Sequence, residues 1–315
     1  MAAETDSHLE AVAELTRRIT RCEDADTAID VAMEGLEELF GLTHTMLLSF
    51  DDPSQRLVTI ATHGYEPGGI GSETAIAPGE GVLGIAVTQA RPIRIGNLQR
   101  LLRYGRTARR GHVQAGARLP DELPFVGLAH PESQLAVPVT HHGQVTGVLA
   151  TESAHMSAFD PDHQAALEVI AALIGNALEL ERLADDPPDV GTLTAGPAAT
   201  PPSIPEGPPV TVRFYTADGS TFLDGEYLVK GVPGRLLWKL LHEAAQGQTA
   251  FTNREVRLDP VLQLPAYKDN FESRLILLRR RLDERDAPFR IEKTGRGRFR
   301  LNVARPIQLI DAVAR

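Results

Sequence analysis

Eight prolines fall within the 23 residues Pro187–Pro209, which read PPDVGTLTAGPAATPPSIPEGPP. Proline fixes φ and lacks the backbone N–H, so neither a helix nor a strand ladder persists through such a stretch. The chain is therefore expected to fold as two bodies, 1–186 and 210–315, joined by a linker at 187–209. Charge breaks at the same place. Before Val210 there are 13 Lys and Arg against 29 Asp and Glu, a balance of −16; from Val210 onward there are 19 against 13, a balance of +6. Every lysine lies in the second part. An acidic domain tied to a basic one reads as a sensor coupled to a nucleic-acid binder.

Length and composition set the outer bounds. At 315 residues and 42% hydrophobic content, each part is long enough to bury its own core. No apolar run approaches the ~18 residues that a membrane helix needs, so no membrane partner is expected. The N-terminus, MAAETDSHLEAVAELTRR, is polar and acidic before its first arginines, unlike a signal peptide, and a cytoplasmic protein is expected. Cys22 is the only cysteine. That excludes an internal disulfide and a Cys-based zinc cluster within the chain, and no metal site is expected.

In the acidic half, Leu9, Val12, Leu15, Ile19 and Cys22 recur at helical spacing, which places the thiol on an apolar stripe. A second helix carries Ile29, Ala32, Met33, Leu36 and Phe40, with Asp26 expected as its cap and Gly41 as its end. Strands are expected at 45–50 and 56–62, a short helix at 80–89 and a strand at 92–95. Gly81 and Gly84 lack the flanking pattern of a phosphate loop, so close helix–sheet packing explains them better. Strands 134–140 and 144–151 flank His141-His142-Gly143, whose composition is that of a hairpin turn. Asp160-Pro161-Asp162 then starts a long helix to about 185. Its stripe of Leu167, Ile170, Ile174 and Leu178 exceeds what one sheet face needs, and a homodimer through this helix is expected.

This order of elements resembles the GAF domain over nearly all of residues 8–185. The resemblance rests on GEGVLGIAVTQARPIRI, on SQLAVPVTHHGQVTGVLATES, and on Phe159-Asp160 opening the last helix. It implies a central antiparallel sheet with a small-molecule pocket and flanking helices that often dimerise. Family ligands include cyclic nucleotides, bilins, haem and metabolites. The bilin attachment cysteine and the paired cysteines of the sulfoxide-reducing members are absent, and the cyclic-nucleotide signature is unmatched. No cofactor is required by the residues; haem would need an axial ligand such as His112 or His130. Arg103, Tyr104, Arg106 and His112 lie where such domains carry a pocket lid and offer groups for an anionic ligand; a solvated basic loop explains them slightly better.

The basic half opens with strands at 210–215 and 221–228. A helix follows on Leu236, Leu237, Leu240, Leu241 and Ala244, then a short helix capped at Thr252 or Asn253, and a third over NFESRLILLRRRLDE. It closes with a hairpin, 289–293 and 298–303, around Gly295-Arg296-Gly297. LLWKLLHE, LLRRRL and IEKTGRGRFRL resemble the winged helix of the OmpR/PhoB class over 210–303. The whole chain is thus read as α+β, a GAF domain joined to a winged-helix domain. The second resemblance implies double-stranded DNA binding, with the third helix in the major groove and the wing on adjacent backbone. Its contact residues would be Lys268, Arg274, Ile276, Arg279, Arg280, Arg281, Lys293, Arg296, Arg298 and Arg300. Ile276-Leu277 departs from the polar pair usual there and leaves a protein-binding face open as an alternative.

The expected function is a dimeric transcriptional regulator whose GAF half senses a small molecule or partner. The alternative is a non-enzymatic adaptor in which both domains bind protein. HExxH, GxSxG and triad spacings are absent from the sequence, so no catalytic residue is assigned.

Overall fold

The computed structural model describes residues 2–51, 55–65, 75–103, 127–184, 207–257, 259, 262, 271–295 and 297–312. They divide into two compact units, Met1–Ala177 and Leu178–Arg315. Most of the expected linker lies outside the described residues. So do Tyr104, Arg106, His112, Lys268 and Arg296.

The first unit opens with α1 (Ala2–Ile19) and α2 (Ala25–Phe40). Asp24, rather than the expected Asp26, caps α2: its side chain accepts from the Thr27 N–H at 2.9 Å, while Asp26 sits in the first turn and is buried. The sheet is antiparallel in the order β2-β1-β5-β4-β3. Its strands are β1 (His44–Asp51), β2 (Arg56–His63), β3 (Ile93–Ile95), β4 (Ser133–His141) and β5 (Gln144–Ser153). The β4–β5 hairpin turns at His142-Gly143, both left-handed, and the His141 ring bonds Asn176, so this histidine pair is spent on the turn.

Strand alternation sends one set of residues to each face. Met46, Leu48, Ala136, Val148 and Ala150 share a face with Leu83, Ala86 and Val87 of α3 (Gly81–Gln89). Thr45, Leu47, Leu135, Val137, Leu149 and Thr151 face the other way and are buried too. There α2 is tied to the sheet by Glu37 and His63, and α4 (Pro161–Ala184) passes so near β4 that a Cβ on Gly175 would lie 2.8 Å from the Thr140 carbonyl. Gly84 answers a different need from the expected one. A Cβ there would sit 2.4 Å from the Ala77 carbonyl, so the glycine admits the loop before α3 rather than the sheet.

Leu167, Ile170 and Ile174, expected at a dimer interface, are fully buried within the chain, and Leu178 is half-buried. The core needs this stripe because α4 packs on a sheet that is apolar on both faces. Val169, Leu180 and Leu183 are the large apolar side chains that α4 leaves exposed.

In the second unit, β6 (Val210–Tyr215), β7 (Ser220–Leu223), β8 (Glu226–Val229) and β12 (Ile307–Ala312) form a sheet in the order β12-β6-β7-β8. The single strand expected at 221–228 is two, broken by a turn at Asp224-Gly225. Then come α5 (Val232–Ala245), β9 (Ala250–Thr252), α6 (Asn253–Arg257) and α7 (Phe271–Glu284), followed by the hairpin β10 (Phe289–Gly295) and β11 (Arg298–Val303). The strand β9 pairs with β11, placing the start of α6 beside the hairpin. One core joins these pieces: Leu237 and Leu241 of α5, Phe271, Leu275, Leu278 and Leu282 of α7, and Phe251, Phe289 and Phe299 of the hairpin sheet. No helix among the described residues is long and apolar enough to cross a membrane.

Candidate functional site

On the α3 side of the first sheet, the strand register sets side chains in rows. Met46, Ala150 and Ala136 form one apolar row across β1, β5 and β4. One step along, the same phase gives His44, Glu152 and Gln134. Glu152 is 1% exposed, a carboxylate in a position where the neighbouring row is wholly apolar. Its Oε1 accepts from Gln134 Nε2 at 2.8 Å, and its Oε2 from the Leu128 N–H at 2.8 Å and the Tyr65 hydroxyl at 3.3 Å. The loop backbone rests on the carboxylate so closely that a Cβ on Gly127, at φ 129°, would lie 2.1 Å from Oε2. Beyond Tyr65 stands His44, the two rings edge to face at 5.3 Å.

Burial pushes the Glu152 carboxyl up to about 7, against the opposing pull of the Leu128, Tyr65 and Gln134 hydrogen bonds. Burial likewise drives the Tyr65 phenol far above its usual range, and the Glu152 charge adds to that. Near neutral pH the cluster therefore holds a carboxyl group that gains or loses a proton readily, with a phenol that stays neutral.

Of the expected pocket residues, Arg103 and His130 are among the described ones. Arg103 is exposed, in a helical turn at 98–103, where its Nε donates to the Gln99 carbonyl at 3.4 Å. His130 is exposed in the 127–132 loop and does not offer the enclosed axial position a haem needs. Glu152, Gln134 and Tyr65 were not singled out by sequence reasoning. The available signal was phase: Val148, Ala150 and Glu152 alternate on one face, so the charge falls where the strand turns inward. Cys22 is half-buried, its thiol raised by burial and by Asp24, which keeps it out of the reactive thiolate form.

The profile of the GAF domain family matches residues 22–179, half of the chain. The chain belongs to this family. Among solved structures, it is similar to the GAF domain of an Acinetobacter phosphoenolpyruvate-protein phosphotransferase, at 15% identity over 59% of this chain and 96% of that one, with a TM-score of 0.45. It is also similar to the free methionine-R-sulfoxide reductase of Neisseria meningitidis, at 19% identity over 57% and 93%, with a TM-score of 0.45. A third is a GAF sensor protein from Burkholderia vietnamiensis, at 14% identity over 55% and 88%, with a TM-score of 0.41. No curated protein matches the chain.

The residues expected to touch DNA are distributed unevenly over the second unit. Arg298 is exposed and Arg300 half-buried on β11, where they alternate with buried Phe299 and Leu301 and so share the outer face. Lys293 is half-buried on β10, and Arg279, Arg280 and Arg281 are half-buried in the last turns of α7. Arg274 and Ile276, expected to reach bases, are buried at 3% and 2% exposure, and Leu277 is buried with them. The first two turns of α7, Phe271–Leu278, are buried on every face, so more than the core-facing stripe is covered there.

Proposed function

We propose that the chain is a regulator in which the GAF domain receives a small molecule or partner at the Glu152 end of its sheet and a winged helix binds double-stranded DNA. The observation that carries the DNA half is the arrangement of the basic unit: α5, β9, α6, α7 and the β10–β11 hairpin packed on one core, with Arg298 and Arg300 on the hairpin's outer face. Guanidinium groups on such a strand suit phosphate oxygens, and a helix packed beside it suits the major groove. Because Arg274, Ile276 and Leu277 are buried, base reading by α7 requires that surface to be uncovered first. Backbone contact through the hairpin does not. In this reading the protein is not an enzyme, and a homodimer would use the exposed Val169, Leu180 and Leu183 rather than the buried stripe of α4.

The test is fluorescence anisotropy of the full chain with a labelled duplex between 50 and 300 mM salt. With ~5 phosphate contacts, the logarithm of the affinity falls against the logarithm of salt with a slope of about −4 to −5. Absence of salt-sensitive binding removes the DNA reading and favours the adaptor, in which the Ile276-Leu277 pair, buried here, would likewise have to be uncovered to meet a partner.

A further inference from the structure

Along α4, Leu167, Ile170, Ile174 and the half-buried Leu178 follow one another at helical spacing, and the next position in that phase is Glu181. Its neighbours Leu180 and Leu183 are 56% and 49% exposed, whereas Glu181 is buried at 5%. The end of the helix thus inverts the usual assignment, with leucines facing out and a carboxylate facing in. From Leu178 onward α4 belongs to the second unit, and there Glu181 Oε1 accepts from Lys293 Nζ at 2.5 Å.

Lys293 lies on β10 opposite Phe299, in phase with buried Phe289 and Ile291. Gly295 follows in that phase, so Lys293 is the last side chain of the row before the hairpin turns. Its ammonium is one of the groups that the winged-helix reading assigns to a phosphate. Carboxylate and phosphate oxygens are both anionic acceptors, and a lysine meets either as a point charge. An ion pair taken out of water adds little stability that apolar residues of similar volume would not, so a leucine at 181 would serve the core as well. What the pair adds is occupancy of Lys293.

We propose that Glu181 is an internal competitor for DNA phosphate: by holding Lys293, it withholds one backbone contact of the hairpin until the pair is broken. The proposal rests on the regulator reading and adds an autoinhibitory contact to its DNA site. Arg298 and Arg300 lie in the opposite phase to Lys293 and its partner Phe299, so they keep a basal affinity while the pair is closed. Opening the pair adds a contact to a surface already in place. The linkage is reciprocal, and duplex held at Lys293 releases Glu181 in turn. One added lysine–phosphate contact steepens the salt slope by about 0.9, which at 150 mM salt corresponds to about fivefold in affinity.

The experiment measures anisotropy of a fluorescein-labelled duplex of mixed sequence with the full chain, across salt. The variants are Glu181→Gln, Glu181→Asp, the Glu181→Gln, Lys293→Gln double variant, and Glu168→Gln. Glu168 is exposed on the same helix and accepts from Gln164 at 2.9 Å, so its variant removes an equal charge away from the hairpin. The expected result is that Glu181→Gln binds about fivefold tighter than the parent at 150 mM salt, with a slope steeper by about one, and that the double variant loses this gain. Glu168→Gln should change affinity by less than about twofold. Glu181→Asp keeps the net charge and shortens the reach by one methylene; a smaller gain is expected from it, and it carries the test if Glu181→Gln does not fold. If the parent binds with salt sensitivity but neither Glu181 variant binds tighter, the proposal is overturned while the regulator reading stands. It is equally overturned if the gain survives Lys293→Gln or is matched by Glu168→Gln. If neither the parent nor the Glu181 variants show salt-sensitive binding, the regulator reading fails and the proposal falls with it.

Discussion

The two units treat a buried charge in opposite ways. In the basic unit, Lys239 on α5 is bonded to Glu243 one turn on and to Asp259 beyond α6, the latter at 2.6 Å. Burial alone lowers the Lys239 ammonium, but the hydrogen bonds to Asp259 and Glu243 more than offset this, and its net shift is upward. In the GAF domain, Glu152 is surrounded by neutral donors, burial prevails, and its shift is toward the uncharged form. A charge matched by opposite charge is part of the scaffold. A charge left with dipoles alone remains open to a proton from outside.

That contrast is broken or sharpened by substitution. Lys239→Ala removes the cation that Glu243 and Asp259, each about a quarter exposed, share, and is expected to cost about 2–3 kcal/mol at neutral pH by denaturant unfolding. A loss below about 0.5 kcal/mol would show the network to be ornamental and erase the difference between the units.

Glu152 has an effect of similar size with a distinctive sign. Its folded-state value is raised above that of an unfolded glutamate, so the native state binds the extra proton. The associated stability is fully present below the unfolded value of about 4.5 and is lost as pH rises through about 7. The Glu152 contribution to wild-type stability should therefore fall by about 2–3 kcal/mol between pH 5 and pH 8, and Glu152→Gln should remove this component of the slope. An unchanged slope in the variant would mean that the carboxyl is as well compensated as Lys239.

The same contrast explains what the sequence disclosed. Long elements with local signals were legible: Asp160 does cap α4, accepting from the N–H groups of Asp162 and His163 at 2.9 Å. The GAF family was legible from strands whose apolar phase is strict. Nonlocal pairings were not. The strand β9 has three residues, too few to show a period, and exists because Phe251 pairs with Phe299 far along the chain. Similarly, β12 is fixed by parallel pairing with β6, nearly a hundred residues earlier. The arginines expected in the pocket drew attention because charge in a loop is conspicuous. Glu152 is inconspicuous in sequence, one acid at the end of a strand, and its character comes from the partners that Gly127, Leu128, Gln134 and Tyr65 bring to it. In α7 the spacing of Leu275, Leu278 and Leu282 revealed the core face, but not that Arg274 and Ile276 would be covered as well.

The regulator reading depends on DNA meeting the hairpin of the basic unit, whatever the state of α7. The direct measurement is duplex affinity across salt for the full chain and for the Arg298→Ala, Arg300→Ala double variant. Neither side chain is in the unit's core, so the variant should fold as the parent does. The account predicts weaker binding to all duplex sequences alike and a salt slope shallower by about two, one for each lost phosphate contact. Equal affinity and an equal slope in the two proteins would contradict it.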